Sequence, residues 1–380
     1  MFTYEYKLDG NKQQYAAIEA SIRVTQFIRN KCVRLWMDET NIAKNDLQCY
    51  CAVLAHEFPF AASLNSQARQ AAADRAWFAI SRFYENCKAK KPGRKGYPTF
   101  QHDNRSTEYK TSGWKLEADG KHITFTDGCH IGRLRLIGTR EIAIFPVKQI
   151  KRVRLIKRAD GFYCQFCVQA DRLMKHNPTG TLVGIDVGLK AYTTDSHGNT
   201  VDNPRYLRKA EQQLKHLQRR LSRTQKKSKN RKKARQRLAK AHLKVQRQRE
   251  DFARKQANAL VSSHDLIAYE DLRITNMVKN HHLAKSINDA AWGKYLAWVN
   301  YYGALHAIAV IKVAPQYTSQ DCSQCGTRVQ KTLSVRTHIC PTCGLVMDRD
   351  ENAAHNILKK ALDGKDGTAG HAGTSTPTRV

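Results

Sequence analysis

Acidic residues are scarce in this 380-residue chain, with 33 Asp+Glu against 65 Lys+Arg and a formal net charge of +32. Such an excess repels itself unless a polyanion neutralises it. Nucleic acid is the usual polyanion, because released counterions drive its binding. Long apolar runs are also missing: no stretch of about 18 apolar residues occurs, so a membrane-spanning helix is not expected. The opening MFTYEYKLDG lacks the basic-then-apolar layout of a secretory leader. A cytoplasmic, bacterial-type protein associated with the nucleoid is the expectation. There is no Walker loop and no Ser/His/Asp layout. What remains is 41% hydrophobic, enough to bury cores in two or three domains.

Eleven cysteines are present, an odd number. In a reducing compartment that suggests a metal site plus buried thiols rather than a disulfide framework. Cys322-x-x-Cys325 and Cys340-x-x-Cys343 are separated by fourteen residues, and each pair precedes a glycine. Four thiolates in two matched knuckles suit one tetrahedral Zn²⁺. Four ligands leave no open position, so the zinc is expected to be structural. Cys164-x-x-Cys167 has no partner pair and reads as packing on a strand.

Three acidic positions stand out. In VGIDVG, Val183, Ile185 and Val187 share one strand face, and Asp186 takes the other. A carboxylate in so apolar a strand calls for a partner such as a metal ion, although an exposed strand-end Asp fits equally well. Glu270 ends the apolar strand LIAYE and shares a face with Leu266 and Ala268; alone it is unremarkable. DENAAHNILKKAL reads as a helix whose acidic end lies at the positive pole. Asp350 there could simply cap it, with Asp348 serving the loop. Taken together, strand-Asp, strand-Glu and helix-Asp in an αβ domain can converge on two Mg²⁺ ions, the arrangement that serves phosphodiester hydrolysis.

The chain changes character along its length. YEYKL alternates like a strand. Apolar spacings of three and four predict helices over about Lys12–Met37 and Ser66–Cys87, the second with Trp77, Ile80, Tyr84 and Cys87 on one face. Short antiparallel strands with Asp-Gly turns fill about 97–175 as a small β-barrel or sandwich, which the opening strand could join. From Thr181 the pattern is αβ. Between Arg219 and Lys255 the basic residues are too dense for one helix face and almost no acids are interspersed, which favours phosphate contact. KKSKN suggests a helical hairpin there. The candidate contacts are Arg219, Arg220, Arg223, Lys226, Lys227, Lys229, Arg231, Lys232, Lys233 and Arg235.

GIDVGLK, IAYEDL, YTSQDCSQCG, HICPTCGLVMDRDENAAHNIL and the basic run RRLSRTQKKSKNRKKARQRLAKAH together resemble the TnpB proteins of bacterial insertion sequences, ancestors of the type V CRISPR effectors. The likeness covers most of the chain, and the C-terminal motifs occur in the family's order. RAWFAISRFYENCKAKKPGRKGYPTF is similar to the family's N-terminal half.

The resemblance implies a multidomain α/β plus β-barrel fold. A wedge-like barrel would occupy 1–10 and 97–175, with a helical recognition domain inserted at 11–96. A RuvC-like nuclease domain of RNase H fold would span 176–318 and 345–363, a zinc-ribbon-like module 319–344, and a disordered tail 364–380. It implies an RNA-guided, Mg²⁺-dependent endonuclease that cuts double-stranded DNA beside a short transposon-associated motif. The guide would be an RNA from the transposon's end. Neither a membrane nor an obligate protein partner is implied. Asp186, Glu270 and Asp350 match the three catalytic carboxylates, which would hold two Mg²⁺ ions; Asp348 is the lesser candidate for the third. Two stretches depart from the family pattern: YKLDGNKQQ after the first strand, and WVNYYGALHAIAVIKVAP. Rival readings are a DNA-joining transposase, a compact CRISPR effector and a guide-dependent repressor. All three acids being present argues against the last.

Overall fold

The computed structural model describes residues 1–171, 174–332 and 334–366 and falls into two compact units, Met1–Asp171 and Arg172–Val380.

The first unit begins with β1 (Phe2–Asp9), followed by α1 (Lys12–Asp38), α2 (Lys44–Glu57), α3 (Pro59–Ala62) and α4 (Ser66–Lys88). The strands β2 (Ser106–Tyr109), β3 (Trp114–Leu116), β4 (His122–Phe125), β5 (Gly132–Ile137), β6 (Ile150–Arg158) and β7 (Gly161–Val168) complete it. One seven-stranded antiparallel sheet runs in the order β2-β6-β7-β1-β5-β4-β3, so the opening strand sits at its centre. Hydrogen bonding ends at β2 and β3. Side chains bring the two edges together: the Tyr109 ring meets that of Phe125, on β4, at 5.0 Å.

Helix α1 starts on a capping box, Asn11 and Gln14 each accepting from the other's backbone N–H at 2.9 Å. Ile18, Ile22, Ile28 and Cys32 are buried on one stripe. On α4 the expected face is buried only in part, at Ile80 and partly at Trp77. Ala68, Ala72, Ala73, Ala76 and Ile80 face inward, while Tyr84 and Cys87 are exposed. The small alanines let helices approach closely, which a period count over large residues cannot register. Helices and sheet share one apolar cluster, from Leu8 and Phe166 to Leu47 and Ile80. The carboxylate of Glu108, 4% exposed, lies among Arg75, Arg152 and Arg154.

The second unit is built on β8 (Leu182–Val187), β9 (Ala191–Asp195), β10 (Thr200–Asp202), β11 (Leu266–Glu270) and β12 (Ala309–Val313). The order is β10-β9-β8-β11-β12, with β10, β9 and β8 antiparallel and β8, β11 and β12 parallel. Between them come α5 (Tyr206–Ser222), α6 (Lys229–Ser262), α7 (Ile274–Met277), α8 (His281–Ala290) and α9 (Trp292–His306). A short hairpin, β13 (Thr337–Ile339) and β14 (Val346–Asp348), leads into α10 (Arg349–Asp366). Alternation sorts the side chains. Val183, Ile185, Ile267 and Tyr269 face α6 and α9, whereas Leu266, Ala268 and Val313 face Ile357 and Ala361 of α10. Helix α10 continues to Asp366, past the boundary expected at 363, and the rest of the expected tail lies outside the described residues.

Candidate metal centres

Asp186 and Glu270 stand near the C-terminal ends of neighbouring parallel strands, on the face that α10 covers. Helix α10 comes close to β8 because position 184 has no side chain: a Cβ on Gly184 would lie 2.1 Å from the Ala354 carbonyl oxygen. That approach brings the first turn of α10, with Asp350, to the same end of the sheet.

The three acids beside the cysteine pairs divide their tasks. Asp348, not Asp350, caps α10: its Oδ1 accepts from the N–H of Asp350 at 2.8 Å and of Glu351 at 3.4 Å. The capping role considered for Asp350 therefore falls to Asp348. Glu351 lies against the turn at Gly198, where an added Cβ would meet its Oε1 at 3.2 Å. Asp350 turns toward the strand ends and lies 3.6 Å from Arg336 Nη1.

Burial pushes the Asp186 carboxyl well above the ordinary aspartate range, and the charges of Glu270 and Asp350 push it further. The Val187 N–H and Arg349 pull it back only in part. Burial likewise raises Glu270, against the Thr318 hydroxyl that donates to its Oε1 and the charge of Lys360. Asp186, Glu270 and Asp350 offer a hard, oxygen-only donor set, and Mg²⁺ suits that chemistry. Among the described residues, oxygens of the three do not all lie within 4.8 Å of one another.

The four cysteines form the second centre. Cys322 and Cys325 sit in one loop, and Cys340 and Cys343 in the turn between β13 and β14. All four are free of disulfides, and their sulfurs lie within 4.8 Å of one another. Cys322 to Cys343 is 3.6 Å and Cys325 to Cys340 is 3.5 Å. Thiolates about 2.3 Å from a tetrahedral zinc stand about 3.8 Å apart, so this set fits the ion. The knuckles match: Gly326 N–H donates to Cys322 O at 2.9 Å, Gly344 N–H donates to Cys340 O at 3.0 Å, and both glycines have positive φ. Cys164 and Cys167 are buried in β7, far along the chain from this set.

The basic run is a helical hairpin, α5 and α6 closing on a narrow seam of Leu214, Leu238 and Val245. Nine of the ten candidate cations are exposed and in no ion pair among the described residues. Arg231 is the exception: its guanidinium donates to Leu221 O at 3.0 Å and Thr224 O at 2.9 Å. It ties down the hairpin turn.

Two family profiles match this architecture. One, described as "Probable transposase", covers residues 165–281, and one described as "Cas12f1-like, TNB domain" covers 292–357. The chain is similar to both of these families. A Streptomyces pristinaespiralis protein named "Putative RNA-guided DNA endonuclease" is 38% identical over 48% of this chain and 46% of its own length. The chain thus spans about half of that relative. Escherichia coli InsQ, under the same description, is 26% identical over 77% of this chain and 72% of its own. Among solved structures, that of the "mini-RNA-guided endonuclease CRISPR-Cas_phi3" aligns with a TM-score of 0.57 at 9% identity, over 95% of this chain and 92% of the other, a likeness of fold.

Thr318, Asn352, Asn356 and Arg336 were not singled out from sequence. The signal that could have found the asparagines is their i, i+4 spacing on the apolar side of α10, where Asn352 is 0% and Asn356 7% exposed.

Proposed function

We propose that this chain is a TnpB-type, RNA-guided, Mg²⁺-dependent endonuclease that cuts double-stranded DNA beside a short transposon-associated motif. The observation that carries the reading is the convergence of Asp186, Glu270 and the first turn of α10, with Asp350, at one end of a mixed sheet. The names of the relatives support the guide and the DNA substrate. We read the second unit as a RuvC-type nuclease domain of RNase H fold, since three antiparallel strands followed by two parallel ones suit it. The first unit would be the wedge-like sheet with its helical recognition insertion, although the two share one core.

Asp186, Glu270 and Asp350 would hold two Mg²⁺ ions. When bound, these supply positive charge to the attacking and leaving oxygens of an in-line displacement. The protein's own part is to hold the carboxylates in place. Thr318 fixes one oxygen of Glu270 by donating to it. Asp348 sets where α10 begins, and hence which way Asp350 points. The cysteine module would hold one structural zinc. The exposed cations of the α5–α6 hairpin would contact phosphates, giving affinity without reading sequence. Base pairing with an RNA from the transposon's end would supply specificity. Such a complex would act on the bacterial nucleoid in the cytoplasm.

Asp186→Ala, purified with its RNA, is expected to lose all cleavage while RNA and target binding stay within about twofold. Retained cutting would sink the assignment. The transposase description favours a second reading, DNA joining by the same carboxylates. A strand-transfer product in vitro would support it.

A further inference from the structure

Hydrogen bonds from α10 link the backbone around Cys322 to Thr318, the partner of Glu270. Asn352 Oδ1 accepts from Ser323 N–H at 3.0 Å, and its Nδ2 donates to Asp321 O at 2.8 Å. One turn on, Asn356 Nδ2 donates to the same carbonyl at 2.7 Å and to Thr318 O at 2.8 Å. Asp321 and Ser323 flank Cys322, while Thr318, 3% exposed, donates its hydroxyl to Glu270. On the other side of the module, β14 ends at Asp348, which caps α10 two residues before Asp350. Arg336 also anchors there, its carbonyl accepting from Arg349 N–H at 2.7 Å and its guanidinium facing Asp350.

Two amides on the buried side of a helix could serve only to satisfy a loop's backbone. Here the groups they satisfy are one residue from a thiolate and one hydrogen bond from a carboxylate. The neighbouring Ala353, Ala354 and Ala361 show that apolar packing alone would be met by small side chains. We propose that Asn352 and Asn356 are positioning residues, which hold Glu270 and Asp350 in register with the folded cysteine module. Cation binding by the carboxylates then depends on the zinc module. The inference rests on the reading of those carboxylates as a cation site.

The test uses the full chain purified with its RNA. Mn²⁺ binding is followed by electron paramagnetic resonance, with Asp186→Ala as background, and zinc by elemental analysis. Asn352→Ala and Asn356→Ala should keep their zinc and RNA yet weaken Mn²⁺ at the carboxylates by about tenfold or more. The Mg²⁺ midpoint for cleavage should rise, with partial recovery at high Mg²⁺. In a double-mutant cycle, Cys340→Ser and Asn356→Ala together should weaken Mn²⁺ no more than Cys340→Ser alone, since both break one connection. Wild-type Mn²⁺ affinity in the zinc-loaded variants, or strictly additive losses, would overturn the proposal while leaving the nuclease reading intact. Should either asparagine variant fail to fold, Thr318→Val, which removes only the hydroxyl on Glu270, decides. A weaker Mn²⁺ site supports the connection, and an unchanged one overturns it. Wild-type protein without Asp186-dependent Mn²⁺ binding would instead overturn the carboxylate reading, and this inference with it.

Discussion

Gly184→Ala should damage both stability and cleavage although it adds a single methyl group. The new Cβ would lie 2.1 Å from Ala354 O, 2.8 Å from Leu358 N and 3.0 Å from Leu358 Cβ. Two of these obstacles are helix backbone, which cannot rotate aside. An unstrained contact needs about 3.5 Å, so β8 and α10 must part by roughly 1.4 Å. Overpacking of this kind costs about 1–3 kcal/mol, and rigid neighbours put this case near about 3 kcal/mol. For a unit of this size the melting temperature would fall by roughly 6–12 °C. The same separation carries Asp350 away from Asp186, and a displacement of about 1 Å at a catalytic group costs on the order of 100-fold in rate. Calorimetry and single-turnover cleavage on the RNA-loaded protein would measure both. Gly293→Ala is the control: its Cβ meets only Ile274 Cδ1, at 3.6 Å on a helix, so it should be neutral or slightly stabilising. Wild-type melting and cutting by Gly184→Ala would refute the account of how α10 is seated.

Cys340→Ser should reduce zinc from about one per chain toward none and lower the melting temperature, because metal binding and folding of such a module are linked; unchanged zinc and melting would contradict the site. Glu108 predicts an acid-sensitive first unit. Burial pushes its pKa up, but Arg154, Arg152 and Arg75 together hold it below the ordinary glutamate value. A depressed folded pKa contributes stability above the unfolded value of about 4.3 and loses it as pH falls through the folded one. Melting followed from pH 7 to 2 should therefore show an acid loss that Glu108→Gln lacks, while Glu108→Gln costs about 1–3 kcal/mol at neutral pH by leaving part-buried guanidiniums without their charge partner. Parallel pH profiles for the two proteins would refute the linkage. Replacing Lys226, Lys227 and Lys229 by alanine should lower the salt slope of RNA or DNA binding by about 2–3 without altering zinc content. An unchanged slope would remove the hairpin turn from the phosphate contacts.

Strand alternation made the carboxylate strands legible. Asp186 had to lie opposite Val183 and Ile185, and Glu270 had to share a face with Leu266 and Ala268; the packing against α10 follows that sorting. The cysteine spacing was equally direct, because a knuckle is a local structure. Helix faces made of alanine were not legible. On α4 the large residues drew attention, yet of them only Ile80 reaches 0% exposure, alongside Ala68, Ala72 and Ala76. Arg231 looked like its neighbours in a basic run. Only the meeting of α5 and α6 turns its guanidinium onto the carbonyls of Leu221 and Thr224.

The acids of DRDEN show where sequence reasoning stops. Consecutive helix positions differ by about 100° around the axis, so an error of one residue in the helix start reassigns every side chain in the first turn. Spacing alone left Asp350 eligible as cap or as ligand, with Asp348 in the loop or as the lesser ligand. The decision came from outside the helix. The β13–β14 pairing, Thr337 opposite Asp348, fixes Asp348 at the end of a strand, where its oxygen meets the first free N–H groups of α10. Gly184 then fixes the distance of α10 from β8, and Asp350 is left facing the strand ends. A long-range hairpin and a missing side chain on another strand thus determine where each acid points, and neither can be seen within the ten residues that raise the question.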